Sequence, residues 1–172
     1  MPSAHAISIR AVREHEVDLV LDFIRELAQY EQLADQVTAT REDIHTALFG
    51  PRPYAEAVLG CIDGEACGFA LFFHNFSTFL GKPGLYLEDL YVRPAARGRG
   101  LGSQMLAWLA RLALERGCGR FEWAVLDWNE PALKVYRGLG ARAADDWTIY
   151  RVTGHALAEL AAKASQKKGG PS

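Results

Sequence analysis

The run Arg97-Gly98-Arg99-Gly100-Leu101-Gly102-Ser103 constrains this chain more than any other stretch. It joins an apolar, strand-like segment, Leu85 to Val92, to a helical pattern that runs from Leu101 to Arg116. A glycine-rich turn entering a helix presents backbone N–H groups with no intrahelical partner, at the positive end of the helix dipole. That setting binds phosphate. Glycine is required because a Cβ prevents the chain from closing round an anion. Arg97 and Arg99 add positive charge. The stretch is a candidate pyrophosphate site, and taken alone a solvated basic turn explains it equally well. Two familiar nucleotide loops fit poorly. A P-loop needs a Lys after its last glycine, and none follows here. A dinucleotide fingerprint follows the first strand and reads G-x-G-x-x-G, whereas this loop lies past mid-chain and position 103 is Ser.

Composition excludes more than it selects. At 172 residues and a net charge of −2, the chain has the makeup of one soluble domain, without the basic excess of a nucleic-acid binder. Its apolar runs are too short to span a bilayer, and no basic, then apolar leader opens the sequence. Cys61, Cys67 and Cys118 are odd in number and lack metal spacing. Cys61 and Cys67 can face each other across a hairpin, but all three read as reduced core thiols of a cytoplasmic protein. The five histidines, His5, His15, His45, His74 and His155, form no ligand pair, so no metal is expected. One domain is expected over residues 1–154, with a short helix and a polar, frayed tail over 155–172.

Hydrophobic spacing sets the order of elements. Ile7 to Ala11 alternates as a strand, and Val17, Val20, Leu21, Ile24, Leu27 and Ala28 recur at helical spacing to about Leu33. Thr40-Arg41-Glu42-Asp43 resembles a capping box that starts a second helix ending near Gly50. Tyr54 to Ile62 and Ala66 to His74 are β-rich and flank the turn signal Asp63-Gly64. After Leu85–Val92 comes the helix from Leu101, burying Leu101, Met105, Trp108, Leu109 and Leu112 and stopped by Gly117. Arg120 to Leu126 reads as a strand, Asn129 as the N-cap of a helix to about Leu139, Trp147 to Val152 as a last strand, and His155 to Ala164 as a terminal helix. The expectation is a mixed α/β sheet: an antiparallel meander followed by β-α-β-α-β, with parallel strands flanking the helix from Leu101.

This order, with two signatures, resembles the GCN5-related N-acetyltransferase (GNAT) superfamily. Its phosphate loop, [Q/R]-x-x-G-x-[G/A], matches Arg97 to Gly102, and its Asn with a Tyr seven residues on matches Asn129 and Tyr136. Closer resemblance is to the diamine and thialysine acetyltransferase branch. It is carried by Glu26 to Glu31, by Leu85 to Val92 (LYLEDLYV) and by Trp128-Asn129-Glu130-Pro131, and it covers Ile7 to Val152. Asp35-Gln36-Val37 and Ala124 to Asn129 look most like the thialysine enzyme. Polyamine enzymes carry an acid and a Trp in the loop before the Leu85 strand. Ser77 and Phe79 stand there in this chain, so a distant second ammonium loses an anionic partner.

The resemblance implies acetyl transfer from acetyl-CoA to a primary amine of a small cationic molecule, such as thialysine, a lysine-like amine or a short diamine. It implies a homodimer. Leu90, Tyr91 and Val92 are expected to run beside the pantetheine arm, with the Val92 N–H or a neighbour donating to the thioester oxygen. Gly98, Arg99, Gly100, Leu101, Gly102 and Ser103, with Arg97, are expected to hold the pyrophosphate, and Asn129, Pro131, Ala132 and Tyr136 to complete the cofactor side. Tyr136 is the candidate general acid, since a phenol is protonated at neutral pH and can give its proton to a leaving thiolate. Without the resemblance it reads as a core tyrosine. Glu88 is the candidate base, because a carboxylate inside an apolar strand is costly unless solvated or paired. Its bland alternative is an edge charge facing solvent. Asp89 beside it reads as structural or secondary. Tyr30, Glu31, Glu88, Glu122, Trp123 and Ala124 are the candidate amine contacts, with Asp35 a further anion. A protein lysine or N-terminal acetyltransferase, or a non-catalytic acyl-CoA sensor, are the alternatives.

Overall fold

A computed structural model describes residues 5–164. The described chain falls into two compact units, one up to Ala124 and one from Val125. Each is treated by itself. The tail over 167–172 lies outside the described residues.

The first unit is a five-stranded sheet in the order β1-β2-β3-β4-β5, with strands Ile7–Ala11, Glu56–Ile62, Glu65–Ser77, Lys82–Val92 and Arg120–Trp123. The first four run antiparallel in chain order, and β4 and β5 are parallel, as expected of strands flanking a crossover helix. The β2–β3 turn has φ of 52° at Asp63 and 87° at Gly64, the left-handed pair that suits the twist of a tight hairpin. An irregularity at Gly60/Cys61 sets Cys61 opposite Ala66 rather than Cys67. All three cysteines are free; Cys61 is buried, while Cys67 and Cys118 are only half-buried.

Helix α1, Val17–Tyr30, buries Val17, Val20, Leu21, Phe23, Leu27 and Ala28. Phe23 stacks on Phe69 of β3 at 5.5 Å and meets Tyr91 of β4 edge-on at 6.4 Å. Helix α2, Arg41–Phe49, starts at the expected capping box: the Asp43 N–H donates to Thr40 Oγ1 at 3.2 Å, and the Thr40 N–H to Asp43 Oδ2 at 2.8 Å. Helix α3, Leu101–Glu115, buries Leu101, Met105, Leu106, Leu109 and Ala113. Trp108 and Leu112 are half-buried instead, because the packed stripe is rotated toward Leu106 and Ala113. A Cβ on Gly60 meets Met105 Sδ at 2.5 Å, so a side chain there displaces the Met105 side chain from its seat on the sheet.

The second unit contains α4, Glu130–Gly138, and α5, Gly154–Ala162. Two expected strand features are corrected. Strand β5 ends at Trp123 rather than Leu126, and residues 147–152 form no strand. A β-strand requires a ladder partner, and among the described residues the second unit contains no other strand to provide one. No helix among the described residues is long and apolar enough to cross a membrane.

Candidate active site

The loop between β4 and α3 is a backbone cradle. Gly98 and Gly100 have φ of 73° and 84°, and a Cβ built on either meets no atom within 4 Å. Gly100 is the N-cap of α3, and no side chain caps that end. The first N–H groups of this 15-residue helix therefore have no N-cap side chain to accept from them, beside space that a side chain would fill. That geometry suits a pyrophosphate. The arginine side chains turn elsewhere. Arg97 donates from Nε to the Val92 carbonyl at 2.9 Å and lies over the Tyr30 ring at 4.8 Å. Arg99 reaches toward Asp63, at 3.9 Å.

Upstream of the cradle, β4 offers an open edge. Its parallel pairing with β5 covers only Gly84 to Leu87. From Glu88 to Val92 that edge has no strand partner among the described residues, so the backbone of Leu90 and Val92 is placed to pair with an extended ligand. The pairing with β3 shifts in the same place: Phe72 faces Leu87 and Leu71 faces Asp89, leaving Glu88 as the extra residue of a β-bulge.

The bulge changes which carboxylate is buried. Glu88 is exposed and Asp89 is partly buried. Burial, then the charges of Glu88 and Glu31, push Asp89 up to about 6. The structure thus brings Glu31, Glu88 and Asp89 into one electrostatic group. Glu31 caps the end of α1, its N–H donating to the Leu27 carbonyl at 2.9 Å, and burial raises its carboxyl as well. Tyr86, raised by burial and by Glu88 and Glu122, extends this acidic neighbourhood toward β5. Strict alternation along Leu85–Val92 hides the burial of Asp89. The Glu-Asp pair interrupting an apolar strand was the available signal, and only the bulge decides between the two.

Other candidates sit differently. Glu122 is paired with Arg120 at 2.5 Å and accepts from Asn75 Nδ2 at 3.3 Å, so its charge is largely engaged. Trp123 packs against Phe121 at 5.0 Å, and Ala124 ends the first unit. Ser77 is buried, and its hydroxyl accepts from the Leu80 N–H at 3.3 Å, which ties it to the turn. His74 approaches Arg116 at 3.4 Å. In the second unit, Asn129 is buried and caps α4, accepting from the Ala132 N–H at 3.4 Å. Pro131 stands in its first turn, and Tyr136 is half-buried on the same helix.

The acetyltransferase (GNAT) family model matches residues 21–141, which takes in α1 from Leu21 onward, the open edge of β4, the glycine cradle and the Asn129–Tyr136 helix. The chain belongs to this family. It is a GNAT N-acetyltransferase, of a family that uses an acyl-CoA donor. Among similar proteins is the thialysine N-epsilon-acetyltransferase of Sus scrofa, 40% identical over 169 residues, covering 92% of this chain and 99% of the relative. The L-ornithine N5-acetyltransferase of Arabidopsis thaliana is 27% identical, covering 91% of this chain and 89% of the relative. Among solved structures, an integron cassette protein from V. cholerae superposes with a TM-score of 0.75 at 30% identity, covering 90% of this chain and 97% of the other.

Proposed function

We propose that this GNAT protein transfers acetyl from acetyl-CoA to the terminal primary amine of a short basic molecule, with thialysine, a lysine-like amino acid or a short diamine as the substrate class. The observation that carries the reading is the open edge of β4, which leads at one end to the glycine cradle and carries the Glu31–Glu88–Asp89 carboxylates beside it. Thialysine and ornithine, named for the relatives, share a primary amine at the end of a short chain. That chemistry fits the anionic group formed by Glu31, Glu88 and Asp89.

Acetyl-CoA supplies the activated acetyl group. Gly98 to Ser103 are the residues to hold its pyrophosphate, and the backbone of Leu90 and Val92 its arm, with the Val92 N–H donating to the thioester oxygen. An alkylammonium is drawn in by Glu31 and Glu88. It must lose a proton before it attacks, and Asp89 or Glu88 accepts that proton, directly or through water. Tyr136 is assigned as the acid that protonates the leaving sulfur, with Asn129 fixing the start of its helix. The proposal includes a homodimer, which sedimentation reads directly.

The test is a mixed pool of small basic amines and lysine- or N-terminus-bearing peptides incubated with acetyl-CoA, with products identified by mass. Acetylated small amines are the expected product. Acetylated peptide in their place assigns a protein acetyltransferase, and acetyl-CoA binding without any product assigns a sensor.

Two variants probe the carboxylates. Glu31→Gln is expected to raise KM for cationic amines about 2- to 5-fold with little change in kcat, as loss of uniform binding does. Steady-state kinetics at rising salt should show the defect shrink, because screening weakens the wild-type attraction. Asp89 gives a pH signature. With its carboxyl at about 6, kcat/KM should rise through that pH in the wild type, and Asp89→Asn should remove the limb. Stability moves the other way. The folded value lies above the unfolded one of ~4, so the stabilising contribution is full below that pH and is lost as pH rises through about 6. Melting curves of Asp89→Asn should therefore gain on the wild type between pH 4 and pH 7.

A further inference from the structure

Two arginines four residues apart clamp α1 to the end of β4. Arg93 forks onto Glu26, with Nη2 to Oε1 at 2.8 Å and Nε to both oxygens at 3.1 Å, and lies over the Phe23 ring at 4.5 Å. Arg97 reaches the same helix one turn further on, at Tyr30, since positions i and i+4 share a face. Its guanidinium lies over Tyr30 at 4.8 Å and Tyr91 at 5.6 Å, while Nε donates to the Val92 carbonyl. The two clamps differ in kind. The Arg93 fork is an ion pair between half-buried groups, a fixed structural tie. Arg97 rests on ring faces and a carbonyl, starts the glycine cradle, and touches the residue that precedes Glu31.

We propose that Arg97 is a positioning residue that couples the donor and amine sides of the site, by joining the cradle and the Val92 carbonyl to Tyr30 at the end of α1. This rests on the acetyl-CoA and amine reading given above. An anion that fixes the Arg97–Ser103 loop also fixes the guanidinium on Tyr30, and with it the adjacent Glu31. By reciprocity, whatever loosens Tyr30 then weakens donor binding, even though Tyr30 stands on α1 and not in the loop.

The experiment is a double-mutant cycle on acetyl-CoA binding, measured by calorimetry without amine, for Arg97→Gln, Tyr30→Leu and the pair. Tyr30→Leu should weaken binding roughly 2- to 30-fold, the range of a cation–π contact. The pair should be little worse than Arg97→Gln alone, because both remove one linkage. Tyr30→Phe, which keeps the ring face, should retain the coupling. In kinetics, acetyl-CoA should tighten amine binding in the wild type and not in Arg97→Gln. Additive effects in the cycle, or unchanged donor binding in Tyr30→Leu, overturn the inference while leaving the acetyltransferase reading intact. A wild-type chain that binds no acetyl-CoA overturns that reading, and this inference with it.

Discussion

Tyr136→Phe should lower turnover by roughly 10²- to 10⁴-fold, the usual worth of a positioned acid or base. The change removes one hydroxyl and keeps the ring that half-buries on α4. Its effect should therefore fall on proton delivery rather than on folding. Two accompanying measurements make the result specific. The dissociation constant for acetyl-CoA should barely move, because the pyrophosphate is assigned to the β4–α3 loop and not to this hydroxyl. The melting temperature should shift by no more than an ordinary surface or boundary substitution does. A variant that turns over at the wild-type rate returns Tyr136 to the role of an amphipathic packing residue. A variant that loses donor binding along with turnover places the hydroxyl in the cofactor site instead.

Replacing Gly100 by Val should abolish the stabilisation that acetyl-CoA gives the protein. For a ligand at 100 times its dissociation constant that stabilisation is about 2.7 kcal/mol, a readily measured rise in melting temperature. Two effects act together. Gly100 has a φ of 84°, where a β-branched residue is strained, and its side chain would occupy the open space of the cradle. The strain lowers the melting temperature of the free protein. The filled cradle removes the ligand-induced rise above that new baseline, and this rise is the quantity to compare. Far-ultraviolet circular dichroism verifies that the variant is folded. A folded variant that keeps the full rise contradicts the pyrophosphate assignment.

The elements that the sequence made legible are those with local causes. The α1 stripe follows from helical spacing, the start of α2 from Thr40 and Asp43, the β2–β3 turn from Asp63-Gly64, and the α4 cap from Asn129. The cradle was legible because glycine spacing is a backbone requirement. What was hidden depends on partners distant in sequence. The bulge at Glu88 exists only in the register of β4 against β3, and it is what partly buries Asp89 and leaves Glu88 exposed. The sequence by itself points to Glu88 as the base and leaves Asp89 as structural or secondary. Arg97 reads as a phosphate-loop charge because it opens the glycine-rich run, yet its side chain is taken up by Tyr30, 67 positions earlier in the chain. The Trp147–Val152 segment has strand-forming residues, but propensity does not supply a ladder. The Ser77 position was read for the acid it lacks. The structure adds that its hydroxyl serves the following turn.

The central claim is that this enzyme acetylates a short basic amine, and kcat/KM across amines of increasing length and charge tests it most directly. The assay follows thiol release from acetyl-CoA with thialysine, ornithine, lysine, short diamines and spermine. The account predicts the highest kcat/KM for thialysine or another short amine, with spermine well below, because the proposed site offers Glu31, Glu88 and Asp89 to one ammonium and has serine at position 77, with no acid there for a distant second one. Spermine acetylated more efficiently than every short amine, or no thiol release with any of them, would contradict it.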